Sequence, residues 1–91
     1  MLRRVKRLEQ AVLATAAEFF NRESNRSSLI TVTSATIGNG GRTAQIHLSV
    51  LPKEAGPHAL LFALRKRTEF REFLGTRIRT RELPHIDFVL D

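Results

Sequence analysis

Residues 29–51, LITVTSATIGNGGRTAQIHLSVL, decide the fold. Their second half alternates without a break. Ala44, Ile46, Leu48 and Val50 point one way, and Thr43, Gln45, His47 and Ser49 the other. That is the spacing of a strand with one buried and one open face. The first half, Leu29-Ile-Thr-Val-Thr-Ser-Ala-Thr-Ile37, is rich in β-branched residues and reads as a second strand. Its alternation slips, because Ile30 and Val32 share one face while Ala35 and Ile37 would share the other. A bulge near Ser34 is expected to absorb the slip. Between the halves, Gly38-Asn39-Gly40-Gly41 is turn chemistry, so strands 29–37 and 43–51 form a hairpin with one buried face.

Upstream, residues 4–23 read as a helix. Val5, Leu8, Val12, Ala16 and Phe19 recur at steps of three and four, with Ala11 and Phe20 broadening the stripe. A polar loop from Asn21 to Ser28 ends it. Downstream, Pro52 to Gly56 is a connection and Pro57 suits the first turn of a helix. Leu60, Ala63, Leu64, Phe70, Phe73, Leu74 and Ile78 carry helical spacing to about residue 79. Arg65-Lys66-Arg67-Thr68-Glu69 interrupts the stripe, so a helix kinked near 66–69, or two short helices, is expected. Residues 85–90 alternate again, with Ile86, Phe88 and Leu90 inward and His85 and Asp87 outward. Pro84 can open that strand but could not lie within a central one.

The expected fold class is α+β in the order α-β-β-α(kinked or broken)-β. Helices cover one face of a three-stranded sheet in a single domain spanning 1–91. A helical crossover between the second and third strands makes them parallel if they are neighbours.

Composition narrows the function. Fifteen basic residues against nine acidic ones give a net charge of +6, with a sequence pI near 11.3. A field of that sign attracts polyanions such as RNA, DNA or an anionic membrane. Twelve of the fifteen are arginine, whose planar fork suits phosphates and base edges. No cysteine is present, which excludes disulfides, thiolate chemistry and zinc fingers. No signal-peptide pattern or bilayer-length apolar run is visible, and a soluble, cytoplasmic, monomeric protein is expected.

The densest basic cluster is Arg65, Lys66, Arg67, Arg71, Arg77, Arg79 and Arg81. Arg67 and Arg71 are four apart on one helical face. Arg77, Arg79 and Arg81 alternate from the helix exit toward the last strand, and if extended they would project together along successive phosphates. The plainer alternative is solvated arginine paired with Glu69, Glu72 and Glu82. A second cluster, Arg3, Arg4, Lys6 and Arg7, crowds the start of the first helix. The helix dipole disfavours cations there, so their presence suggests a use. Arg42, at the hairpin tip, reads as a turn residue.

Catalysis finds little support. His47, His58 and His85 lack metal-ligand spacing, and no carboxylate pair or nucleophile elbow occurs. No metal, cofactor or small-molecule substrate is expected, and the chain is not read as an enzyme. Tyrosine and tryptophan are absent and the phenylalanines fall mostly on apolar stripes. Structured RNA is therefore favoured over single strands stacked on aromatic platforms.

The element order is similar to that of a type II KH-like fold, and particular segments resemble ribosome-binding factor A. Leu29-Ile-Thr-Val-Thr-Ser followed by Ala44-Gln-Ile-His-Leu-Ser-Val50 resembles that family's hairpin. Ala63-Leu64 and Phe70-Arg71-Glu72-Phe73-Leu74-Gly75 resemble its second helical region. Arg77-Ile-Arg-Thr-Arg-Glu-Leu-Pro-His-Ile-Asp-Phe-Val-Leu-Asp91 is similar to its closing "R-x-R-x-x-P-x-L-x-F-x-x-D". The resemblance implies a non-enzymatic maturation factor that binds the small (30S) ribosomal subunit and its 16S rRNA late in assembly and rRNA processing. It implies no membrane role.

The sequence departs from the family pattern at Asn39-Gly40-Gly41-Arg42, where an Asp-Leu pair is usual. It departs again at Arg67-Thr68-Glu69, one residue shorter than the family's Ala-x-Gly kink. Many members continue into a basic tail where this sequence stops at Asp91, so roles of such a tail are not expected of it. Gly38-Asn39-Gly40-Gly41 matches the G-x-x-G of KH domains but joins two strands rather than two helices, so a hairpin turn accounts for it. Two alternatives stay open: a KH-like binder of another structured RNA, and a basic protein-interaction or anionic-surface adaptor.

Overall fold

The computed structural model describes residues 2–22 and 28–91, with side chains from residue 4 onward. The elements are α1 (Leu2–Arg22), β1 (Leu29–Gly38), β2 (Thr43–Leu51), α2 (Gly56–Arg65), α3 (Arg67–Arg77) and β3 (His85–Leu90). Sheet order is β1-β2-β3. β1 runs antiparallel to β2, and β3 runs parallel to it after the crossover through α2 and α3.

The slip in β1 is resolved as expected. Pairing runs Val32↔Leu48 and then Ser34↔His47, which leaves Thr33 as the extra residue. One inserted residue reverses the side-chain parity. Ile30 and Val32 before the bulge, and Ala35 and Ile37 after it, therefore all pack against the same core. The hairpin turn holds Asn39, Gly40 and Gly41 at φ of 51°, 63° and 95°. Left-handed backbone of this kind is what asparagine and glycine tolerate and bulkier residues do not. Arg42 closes the turn by donating its N–H to the Asn39 carbonyl.

The interrupted helix is two helices that meet at Lys66. Its φ and ψ of −88° and 4° lie off the helical region. Its N–H donates to both Phe62 O and Ala63 O, and its own carbonyl accepts from the Phe70 N–H. One residue thus ends α2 and begins α3 with no glycine or proline at the break. The break has a packing reason. Ala59 and Ala63 are buried on α2, and Phe70 and Leu74 on α3, while exposed Arg67 falls between them. A straight rod would press that charged stretch toward the core.

The core lies between the helices and the inward face of the sheet. Phe19 and Phe20 from α1, Phe70 from α3 and Phe88 from β3 form a closed ring of edge-on contacts with centroids 5.3–5.9 Å apart. α1 is also fastened to the sheet by a polar contact, in which the Ile37 N–H donates to Glu9 Oε2 at 3.0 Å. β1 is an edge strand, so this carboxylate occupies a donor that would otherwise be free. Among the described residues, no helix lies on the opposite sheet face, which carries Thr36, Thr43, Gln45, His47, His85 and Asp87.

Three boundaries differ from the sequence reading. α1 begins at Leu2 rather than residue 4 and ends at Arg22. α3 ends at Arg77, because Ile78 turns to extended backbone at φ −124° and ψ 151°. β3 spans His85–Leu90 as its alternation predicts, directly after the buried Pro84. Most of the expected loop from Asn21 to Ser28 lies outside the described residues.

Candidate nucleic-acid interface

Basic residues from distant parts of the chain gather at one end of the molecule, around the hairpin turn. At Gly41 an added Cβ would lie 3.9 Å from Leu8 of α1. Together with the Glu9–Ile37 contact, this sets the first turns of α1 against the hairpin end. Exposed Arg4, Lys6 and Arg7 lie on those turns. The Arg3 side chain lies outside the described residues. On the other flank, Arg67 opens α3 and lines a recess of about 320 Å³ between α3 and the start of β3, together with Thr68, Arg71, Leu83 and His85. His85 is joined to the turn directly, since its N–H donates to Arg42 O at 2.7 Å.

The seven arginines and lysines of the densest cluster divide into different roles. Arg65 and Arg67 are exposed on either side of the helix break and form no ion pair among the described residues. Lys66, between them, reaches Glu69 at 3.5 Å and lies 5.8 Å from the Phe62 ring. Arg71 turns its guanidinium back on the chain. Its Nε donates to Pro84 O at 3.1 Å and its Nη2 to Leu83 O at 2.9 Å, holding the approach to β3. Arg77 is held by Glu18 of α1, with Nε and Nη2 donating to the two carboxylate oxygens at 3.1 and 3.4 Å. Its guanidinium also lies 4.5 Å from the Phe73 ring centroid.

The expected row of Arg77, Arg79 and Arg81 leading into the last strand is corrected accordingly. Arg77 closes α3 and is paired back to α1. Arg79 and Arg81 are exposed in the irregular segment 78–84, ahead of β3. The pairing partners proposed from sequence are also revised. Glu69 holds Lys66, whereas Arg77 finds Glu18, 59 residues away, rather than Glu72 or Glu82.

Sequence reasoning missed two features of this surface. Phe73 is only half-buried and lies between two cations, Arg77 and Arg22, the latter 5.5 Å from its centroid. A position on an apolar stripe looks the same whether or not a neighbouring helix end covers it. The open sheet face was read residue by residue and not as a surface. Nothing in one strand's alternation says which residues of the next strand lie beside it.

Chemically, the arrangement offers exposed cations, mostly unpaired among the described residues, flanking a shallow recess. Guanidinium groups of this kind can donate to phosphate oxygens, contacts that fix position and make affinity salt-dependent. Among the described residues, no helix is long and apolar enough to cross a membrane. No group of three or more His, Asp or Glu is disposed to hold a metal ion there.

No family model and no curated protein matches the chain. Solved structures do. The crystal structure of ribosome-binding factor A from Thermus thermophilus is similar at TM-score 0.82 and 23% identity, over 94% of each chain. A solution structure from Thermotoga maritima, described as a ribosome-binding factor A, is similar at TM-score 0.79 and 21% identity, over 94% of this chain and 85% of the other. A homology model of the Thermus thermophilus factor, fitted into a cryo-EM map of its complex with the 30S subunit, is similar at TM-score 0.74 and 23% identity. It matches 93% of this chain and 88% of its own. The fold of this chain is that of the ribosome-binding factor A structures.

Proposed function

We propose that this chain is a member of the ribosome-binding factor A family and works without catalysis. It binds the small (30S) ribosomal subunit and its 16S rRNA during late assembly and rRNA processing, as a cytoplasmic monomer. The observation that carries this reading is a coincidence of two independent signals. The hairpin and closing-strand motifs resemble the family in sequence, and the fold matches one of its structures over 94% of the chain.

Binding rests on Arg65, Lys66 and Arg67 at the helix break, on Arg4, Lys6 and Arg7 across the hairpin end, and on Arg79 and Arg81. Arg71 and Arg77 act as positioning residues. Arg71 fixes the segment that carries Arg79 and Arg81, and Arg77 ties α3 to α1. Each phosphate neutralised releases counterions, so attachment weakens as salt rises and release needs no bond chemistry.

Co-sedimentation of the full chain with purified small subunits, at low and moderate salt, tests the reading. Large subunits and total tRNA serve as competitors. We expect binding that survives moderate salt and prefers small subunits. Equal, salt-labile binding to all three RNAs would replace the reading with that of a KH-like binder of another RNA. Binding to acidic vesicles or proteins in preference to any RNA would replace it with that of an adaptor.

A further inference from the structure

Gln45 and Asp87 are direct neighbours on the uncovered face of the sheet. Strand register sets two rows across the three strands at this end. One row is Thr36, Gln45 and Asp87; the other is Gly38, Thr43 and His85. All six positions line an open recess of about 370 Å³ with Arg67 at its rim. No helix covers it, and no acid holds Arg67 among the described residues.

Three details distinguish this recess from an ordinary wet sheet face. Gly38 leaves its row without a side chain on β1, and the Thr43 hydroxyl lies 2.9 Å from where its Cβ would stand, so a threonine oxygen rather than a β1 side chain forms the floor there. The Asp87 Oδ1 accepts the Phe88 N–H at 3.0 Å, each carboxylate oxygen keeps acceptor capacity, and Oδ2 has no partner among the described residues. Facing it, Gln45 supplies both an amide donor and an acceptor, one strand spacing of about 4.8 Å away.

We propose that this recess takes one unpaired guanine of a single-stranded RNA segment. Asp87 accepts from the base's N1–H and N2–H₂, Gln45 completes the edge, His85 offers its ring for the base to lie against, and Arg67 holds a flanking phosphate. Guanine is chosen by the acceptor. A carboxylate needs donors side by side, and guanine's Watson–Crick edge provides two, whereas adenine and cytosine provide one exocyclic amine each. Exposed bases read on their edges and stacked on histidine are a recurrent mode of RNA recognition. The inference rests on the proposed RNA-binding function and adds base selectivity to it.

The test uses the full chain and the RNA oligomers UUGUU, UUAUU, UUCUU and UUIUU, where I is inosine, which lacks the N2 amine. Affinity is read by fluorescence anisotropy and location by amide chemical shifts. We expect UUGUU to bind at least about fivefold tighter than the other three, with shifts centred on Thr43, Gln45, His85 and Asp87. Asp87→Asn retains the oxygen that accepts from Phe88 but not the charge. It and Gln45→Ala should each bring the four oligomers within about twofold of one another, with binding to UUAUU unchanged. Indifference of the unaltered chain to the central base would overturn the proposal, as would guanine preference surviving in Asp87→Asn or shifts confined to other surfaces. A chain that co-sediments with small subunits yet ignores the central base loses this inference alone. A chain that binds neither loses the proposed function as well.

Discussion

Arg71 and Arg77 belong to one helix and one basic cluster, yet their side chains do different things. Arg71 spans two backbone carbonyls, those of Leu83 and Pro84, neither of which has a strand partner. Arg77 forms a two-point pair with Glu18 across the α1–α3 contact. Charge-assisted bonds to carbonyls stabilise more than neutral ones, but Arg71 is exposed and part of the gain is screened. Arg71→Ala should cost about 1–2 kcal/mol in urea unfolding. Arg71→Lys should recover little of it, because an ammonium cannot present two fixed parallel donors. An unchanged midpoint for Arg71→Ala would mean that the segment before β3 is held by Leu83 and Pro84 packing alone. Sequence could locate the cluster from its density of arginine. It could not sort binders from ties, because the deciding partners are a carboxylate 59 residues away and two main-chain oxygens.

Element by element, the hairpin was the most legible part of the chain, and its irregularity was legible too. The parity conflict between Ile30 and Val32 on one side and Ala35 and Ile37 on the other admits only an inserted residue if one core receives all four. Thr33 is that residue. Deleting Thr33 should force Ile30 and Val32 onto the open face, or else break the pairing of β1 before them. With both side chains half-buried, a loss of about 2–3 kcal/mol is expected from their burial alone. Equilibrium unfolding measures it, and a deletion variant as stable as the parent would show that the bulge is incidental. The helix break was legible as an interruption in the apolar stripe, and Lys66 falls at the start of the expected 66–69 stretch. Without glycine or proline the break is marked only by where burial changes side, which depends on how two helices meet the sheet. The end of α3 at Arg77 was hidden for a similar reason. Ile78 continues the helical spacing but packs against the core from extended backbone.

For the whole molecule, layering separates two surfaces of opposite character. Helices and sheet share one apolar interior, closed by the four-phenylalanine ring. Outside it, the hairpin end collects cations from α1 and from the helix break, while the open sheet face is polar and carries Thr36, Gln45, His85 and Asp87. A net charge of +6 attracts polyanions, and the guanidinium groups of Arg71 and Arg77 are tied back to the chain. The convergence of the first and second clusters on one end was invisible in sequence, since it depends on α1 lying against the turn through Leu8 and Glu9.

The central claim is that this end of the molecule holds rRNA of the small subunit through phosphate contacts. The most direct measurement is the salt dependence of affinity for purified small subunits, comparing the chain with an Arg65→Ala, Lys66→Ala, Arg67→Ala triple variant whose folding is checked by thermal unfolding. The expected result is weaker binding at every salt concentration and a logarithmic slope shallower by about 2–3, close to one unit per lost contact. A folded variant with the parent's affinity and slope would contradict the claim and leave the basic end without a role in binding RNA.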